Sequence, residues 1–409
     1  MTDAVLADPA ALVVALAAGE GALTTGDVRR GAGGRVFAYA VQQKWTTPGQ
    51  LALEQRLVDA AMGRADQGCG RLDGHLVEQV IAGQPLVLSD EQAAAVRALT
   101  TSGAGVDVLV AGAGSGKTCA VLGSVRRAYE LAGYRVVGAA SSARAARVLA
   151  DDAGLAACTV ARLLLDLDRP PAGGLGPGTV LVLDEASMVG TRDMAAVLGH
   201  AQAAGAKVIV VGDTRQLAAV DAGGGLRALA DRLGAQRLTT NRRQHAGWER
   251  GALACLAAGR PGEALRAYSA HDRVTVVDTG MAARRAMIAG WWADVATHGI
   301  EATLLVAVRN TDRTELNRLA RDVMRQAGRL GEDQVSAAGR TFAVGDRVVL
   351  LRNSSARRYD NGDVGTVAGI DGQRRLLVTL DRGVTETLPL SYTAAGHVDH
   401  AYAGTVHKA

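Results

Sequence analysis

The string Ala111-Gly112-Ala113-Gly114-Ser115-Gly116-Lys117-Thr118 follows an apolar run and opens a helical stretch. Glycines at this spacing let the backbone curl so that successive N–H groups face phosphate oxygens, and the helix N-terminus adds partial positive charge. Lys117 then bridges β- and γ-phosphates, and Thr118 offers its hydroxyl to Mg²⁺. Ala111 stands where the usual pattern has its first glycine, a position that closes the strand and tolerates a methyl group. The chemistry suited to Gly112–Thr118 is capture of ATP as its magnesium complex.

A second set of residues suits hydrolysis of what such a loop holds. Val180-Leu181-Val182-Leu183 ends in Asp184-Glu185, which places two carboxylates at the carboxyl edge of a sheet, where ligands bind in folds of this kind. Asp184 holds Mg²⁺ through water, and Glu185 orients and deprotonates the attacking water. The strand-like Val208 to Val211 ends in Gly212-Asp213-Thr214-Arg215-Gln216. In isolation that is only a turn, but on the same sheet Gln216 can touch the γ-phosphate and report its loss. Leu238-Thr239-Thr240-Asn241-Arg242-Arg243-Gln244 supplies a guanidinium for charge on the transferring phosphoryl group, Arg243 being the candidate and Arg242 its rival.

These residues need a scaffold, and the pattern between 86 and 240 provides one. Short β-branched runs, Val106 to Val110, Arg135 to Gly138, Thr179 to Leu183 and Lys207 to Val211, alternate with helical stretches. Continuous apolar strands separated by helices predict a parallel sheet covered on both faces. Residues 1–85 carry helical periodicity around Leu51, Leu53, Leu57 and Val58 and predict an N-terminal helical accessory domain ending at Gly83 to Pro85. From 241 to 340 a second alternating set, with strand-like Val274 to Val277 and Thr303 to Val308, predicts the first part of a second lobe. Between 341 and 392 the period drops to two, with hairpin signals at Asn361-Gly362 and Asp371-Gly372, so a small antiparallel barrel is expected there. Residues 393–409 return to the second lobe. The fold class is α/β: two parallel-sheet lobes of the RecA type, a barrel insertion and a helical N-terminal domain.

Composition narrows the function classes. At 409 residues the chain is long enough for two lobes with attachments. A net charge of +4 permits a nucleic-acid partner through counterion release without requiring one. Cys69, Cys119, Cys158 and Cys255 are scattered with no CxxC pair, which argues against a zinc site or disulfide framework and for a reducing, cytoplasmic setting. Asp3 and Asp8 replace a basic leader region, and the run Ala10 to Ala18 is too short to span a bilayer.

In this order Gln92, the loop of 111–118, Asp184-Glu185-Ala186-Ser187, Gly212-Asp213-x-x-Gln216-Leu217 and Arg243-Gln244 resemble the RecD-like branch of superfamily 1 DNA helicases. Within that branch the pattern is most similar to the helicase portion of conjugative relaxases of the TraI/TrwC type. Supporting stretches are Trp45-Thr46-Thr47-Pro48 with Glu54, Ala140 to Ala146, Asn361-Gly362-Asp363-x-Gly365, and His400-Ala-Tyr402-Ala-x-Thr405-x-His407-Lys408. The resemblance implies an ATP-driven motor moving 5′ to 3′ along single-stranded DNA, with conjugation or DNA-processing proteins as further partners. It implies adenine recognition by Gln92, and DNA contacts by Ser142, Arg144, Thr405 and His407. Ser141-Ser142-Ala143 stands where the family more often shows a Pro-Thr-Gly run, and Ser142 keeps the hydroxyl that a phosphate contact needs. The barrel resembles an SH3-like insertion lining a DNA channel, beside which Arg352, Arg357 and Arg358 face either phosphates or solvent.

Conjugative relaxases also carry a nicking domain with a catalytic tyrosine and a histidine triad. The eight histidines here form no clustered triad, so nicking is expected to be missing. The family motif around Thr405 normally runs on through a Gln-Gly pair to a further arginine, residues this sequence lacks. The second lobe is therefore expected to be incomplete, and the alternative to a working helicase is a non-unwinding, ATP- or DNA-binding remnant.

Overall fold

Six runs between residues 106 and 238 pair into one sheet: β1 (Val106–Ala111), β2 (Arg135–Ala140), β3 (Ala156–Thr159), β4 (Thr179–Asp184), β5 (Lys207–Gly212) and β6 (Gln236–Leu238). In the computed structural model their order is β6-β1-β5-β4-β2-β3, and every neighbouring pair is parallel. The structure describes residues 47–169, 174–216, 219, 223–354 and 359–406, together with the backbone of two short ladders, Val14–Ala15 with Trp45–Thr46 and Arg29–Arg30 with Val36–Phe37. The rest of the segment 1–46 expected to be helical lies outside the described residues, as do Leu217, Arg357, Arg358, His407 and Lys408. The chain divides into two units, Met1–Arg243 and Gln244–Ala409.

In the first unit every residue of β4 and β5 is buried, because helices cover both faces. Side chains alternate along each strand, so Val108, Leu181, Leu183, Val208 and Val210 point to one face and Leu109, Val180, Val182, Ile209 and Val211 to the other. The first face meets α1 (Pro48–Met62), α6 (Val160–Asp168), α7 (Thr191–Ala203) and α8 (Gly225–Leu233). The second meets α2 (Gly74–Ala82), α3 (Asp90–Thr101), α4 (Gly123–Leu131) and α5 (Ala143–Ala153). Burying each such Val or Leu contributes roughly 1.5–3 kcal/mol, so this sheet dominates the unit's stability. The boundary expected near residue 85 does not separate α1 and α2 from that core: Leu57, Val58 and Ala61 join one cluster, and Leu72, Val77 and Val80 the other.

The second unit begins with α9 (Gly247–Ala257), α10 (Pro261–Ala270) and α11 (Gly280–His298). Val274–Val277, expected as a strand, has no ladder partner among the described residues and leaves Val276 86% exposed; an apolar run becomes a strand only where an edge accepts it. β7 (Leu305–Ala307) pairs in parallel with β15 (Ala403–Thr405), and α11 and α12 (Asn310–Gln326) pack against the pair. Between them come the hairpin β8 (Gln334–Ala337) and β9 (Arg340–Ala343), then β10 (Arg347–Leu350), β11 (Val364–Ile370), β12 (Leu376–Leu380), β13 (Thr385–Thr387), the short helix α13 (Leu390–Ala394) and β14 (Val398–His400). The last five strands form an antiparallel sheet of order β13-β12-β11-β10-β14, so this sheet reaches past the expected boundary at residue 392 to recruit β14.

Asp346 is fully buried and accepts hydrogen bonds from Arg321 Nε, the Ala343 N–H and the Tyr402 hydroxyl at 2.7–3.0 Å. Burial pushes the Tyr402 phenol up, and burial likewise holds His400 below the usual imidazole range against the opposing pull of Asp346. Asn317 of α12 clamps the Tyr402 and Ala403 backbone, and Asp399 pairs with Arg313 and Arg340. No helix among the described residues is long and apolar enough to cross a membrane.

Candidate active site

β1 ends at Ala111, and the chain turns through Gly112–Gly116 before winding into a π-helical turn, Lys117–Leu122, that continues as α4. Gly114 and Gly116 take φ of +76° and +77°, where a side chain is strained. A Cβ at Gly114 would also meet the Arg243 Cβ at 2.7 Å, and one at Gly116 the Gln92 amide at 2.7 Å. Both glycines are thus required by conformation and by close approach.

Three neighbouring groups fix this loop. Ser89 and Gln92 form a capping box at the start of α3, and the Gln92 amide also donates to the Ser115 carbonyl at 3.0 Å. Gln92 is buried, with both ends of its amide engaged on backbone and loop, which places it under the loop. On the opposite side Asn241 Nδ2 donates to the Ala113 carbonyl at 3.1 Å, and the Arg242 N–H donates to the Gly114 carbonyl at 2.8 Å. Glu91 then anchors the segment that carries Asn241, accepting from the Thr239 N–H and hydroxyl at 2.6 and 2.8 Å and from the Thr240 N–H at 3.3 Å. Burial works to raise the Glu91 carboxyl, but these hydrogen bonds outweigh it and hold it below the usual carboxylate range. Glu91 and Asn241 escaped the sequence reading because their partners are mostly backbone groups, which carry no residue signature.

The acids lie opposite the loop. Lys117 Nζ is 2.7 Å from Asp184 Oδ1, with the lysine largely and the aspartate almost wholly removed from solvent. The same oxygen accepts from the Glu185 N–H at 2.8 Å. Glu185 is one of few non-glycine residues with positive φ, at +52°, a conformation that costs roughly 1–3 kcal/mol and persists where surroundings enforce it. Its carboxylate accepts from the Ser141 hydroxyl at 3.1 Å. Gln216 is exposed after β5 and lies 3.5 Å from the Ser187 hydroxyl. The Arg243 N–H donates to Asn241 Oδ1 at 3.0 Å, and Arg243 and Arg242 are both exposed.

The structure therefore brings together Gly112, Ala113, Gly114, Ser115, Gly116, Lys117, Thr118, Asp184, Glu185 and, through its backbone, Arg243. The buried Ser115 hydroxyl has no hydrogen-bond partner, an unmet donor inside a loop whose lysine and glycines suit a triphosphate. Thr118, half-buried in the first turn, and Asp184 suit Mg²⁺ as oxygen donors. The residues assigned to DNA fall on different elements. Ser142 and Arg144 are exposed at the start of α5, where the Ser142 hydroxyl caps the helix by accepting from the Ala145 N–H at 3.1 Å. Thr405 is buried in β15, beside Ala307 of β7.

Residues 87–279 match the family model described as an AAA domain. The chain is 33% identical over 375 residues to the conjugal transfer protein TraA of Agrobacterium fabrum, covering 90% of this chain and 33% of that protein. It is 30% identical over 310 residues to the multifunctional conjugation protein TraI of Escherichia coli, covering 65% of this chain and 17% of that protein. It is 32% identical over 330 residues to the ATP-dependent RecD2 DNA helicase of Deinococcus radiodurans, covering 79% of this chain and 43% of that protein. The chain thus spans about a third or less of the length of the conjugation proteins it matches.

Proposed function

We propose, for a chain that belongs to the RecD-like branch of superfamily 1, that it hydrolyses ATP and uses the cycle to move along single-stranded DNA, 5′ to 3′, within a conjugative or DNA-processing system. The observation that carries this reading is the juxtaposition of Lys117, Asp184 and Glu185 beneath a loop with two left-handed glycines. The relationship to TraA, TraI and RecD2 supports DNA as the track.

Lys117 exchanges Asp184 for the β- and γ-phosphate oxygens when ATP enters, and the loop amides with the Ser115 hydroxyl take the remaining charge. Thr118 and Asp184 would hold Mg²⁺, which would supply positive charge against that developing on the phosphates. Glu185 accepts a proton from the attacking water as its oxygen bonds the γ-phosphorus and the bond to the β–γ bridging oxygen breaks, leaving ADP and phosphate. Gln216 reads the γ-phosphate, and Arg243 stabilises charge on the transferring group. Ser142, Arg144 and His407 contribute contacts to the phosphates of the strand, a mode of grip that tolerates any sequence, whereas Thr405, buried in β15, is left without that role.

Steady-state ATP turnover, measured with and without a single-stranded oligonucleotide, tests the reading. Magnesium-dependent turnover that rises with DNA, falls to background in Lys117→Ala and drops by about a hundredfold or more in Glu185→Gln is expected, the scale of removing a general base. A well-folded chain with no magnesium-dependent nucleotide affinity would overturn it. A strand-displacement assay run beside the turnover assay reads unwinding separately, and turnover without displacement would favour a non-unwinding module.

A further inference from the structure

Arg243 sits on a segment that burial does not hold. β6 lies at the edge of its sheet and pairs only with β1, its last ladder partner being Leu238 opposite Ala111. Leu238 is buried, but Thr239, Thr240, Arg242 and Arg243 beyond it are exposed. With no apolar face to dock, such a segment takes its position from hydrogen bonds.

Glu91 supplies three of them. It is the second residue of α3, and its carboxylate bonds across to the segment that follows β6. Oε1 accepts from the Thr239 N–H and hydroxyl at 2.6 and 2.8 Å, and Oε2 accepts from the Thr240 N–H at 3.3 Å. Gripping two consecutive residues with both oxygens needs a carboxylate, because an amide has one acceptor and would set its NH₂ against the Thr240 N–H. The neighbouring Gln92 donates to the Ser115 carbonyl, so one turn of α3 holds both the phosphate loop and the segment that carries Arg243. That turn is itself fixed, because α3 packs on the sheet through Val96 and Leu99, both fully buried.

We infer that Glu91 is a positioning residue for hydrolysis, setting Arg243 against the triphosphate by fastening Thr239 and Thr240 to the first turn of α3. Its effect on the reaction passes through the segment it holds. This rests on the reading of the chain as an ATPase in which Arg243 stabilises the transferring phosphoryl group.

Steady-state turnover of the full chain with Mg-ATP tests it, in Glu91→Ala, Glu91→Gln, Arg243→Ala and the double variant Glu91→Ala/Arg243→Ala. Glu91→Ala is expected to lower kcat by about tenfold or more, the scale of a misplaced group in an active site. KM rises by less, because Asn241 keeps its own bond to the Ala113 carbonyl. Glu91→Gln, which keeps an acceptor for Thr239, should fall between the Ala variant and the parent. In the Arg243→Ala background, Glu91→Ala should lower kcat by no more than about twofold further, since the group it positions is gone. Should Glu91→Ala not fold, the same comparison is made with Glu91→Gln. A loss of kcat as large in the Arg243→Ala background as in the parent, or an effect of Glu91→Ala confined to KM, overturns the positioning role and leaves the ATPase reading intact. A folded parent with no magnesium-dependent turnover overturns the ATPase reading, and the role of Glu91 with it.

Discussion

Lys117 and Asp184 satisfy one another inside the proposed nucleotide site. Each carries a charge that burial penalises, and each is satisfied by the other at 2.7 Å. In the proposed cycle the triphosphate would replace the partner without leaving either charge alone, since Asp184 would then face Mg²⁺. The loop facing them is less self-sufficient, because its outer carbonyls at Ala113 and Gly114 depend on Asn241 and the Arg242 N–H. Asn241 also receives the Arg243 N–H, so one amide sets both the loop and the backbone of the proposed arginine finger. Asn241→Ala removes both bonds, each worth about 1 kcal/mol. KM for ATP is expected to rise by about tenfold, with a smaller fall in kcat; an unchanged KM in a steady-state titration would show that the loop holds its shape without this amide.

At the scale of elements, α12 is joined to β14, β15 and the β8–β9 hairpin by a buried polar network beside the apolar contacts it makes with β7 and β15. Arg321, Asp346, Tyr402 and His400 meet where Phe342 also packs, with Asp399 adjacent. His400 is held below the usual imidazole range by burial, so the folded unit binds its proton less readily than the unfolded chain does. Stability from this residue is therefore complete above the ordinary imidazole pKa and lost as pH falls below it toward the depressed folded value, with a limiting slope of about 1.4 kcal/mol per pH unit for one proton. Denaturant unfolding at pH 7.5 and 5.5 should show a loss in the parent that is smaller in His400→Gln, and equal losses would remove His400 from that account. None of this network was legible beforehand: His400 and Tyr402 stood out only as parts of a motif, and Asp346 is one carboxylate among many until three donors converge on it. The first sheet was legible because parallel strands covered on both faces are continuously apolar, so β1, β2, β4 and β5 announce themselves along with the loop and acids at their ends. β3 and β6 are short and carry polar residues, and they became strands because the edges of β2 and β1 were open to them.

Across the whole molecule, apolar burial is concentrated in particular elements. β4 and β5 are buried at every position and flanked on both sides by other strands. In the second unit the sheet β10–β14 has its own core, with Val348, Leu350, Leu376 and Val378 fully enclosed. By contrast α9 buries Ala252 and α10 buries Ala264, while Leu256 and Leu265 are 47% and 58% exposed. Helices that pack through alanines gain little from desolvation, and Trp248 stacked on His271 at 3.9 Å is the main aromatic contact they make. Local opening should therefore cost far less in residues 247–270 than in the central strands. Hydrogen–deuterium exchange read peptide by peptide is expected to place α9 and α10 among the fastest ordered segments, and β4 and β5 among the slowest. Mg-ATP should slow exchange at the loop, Gly112–Thr118, and at Thr239–Arg243, because that segment shares the loop's hydrogen bonds. Slowing at the loop alone would show that Asn241 and Arg242 release the loop when nucleotide binds, and so would reverse the order in which the site is assembled.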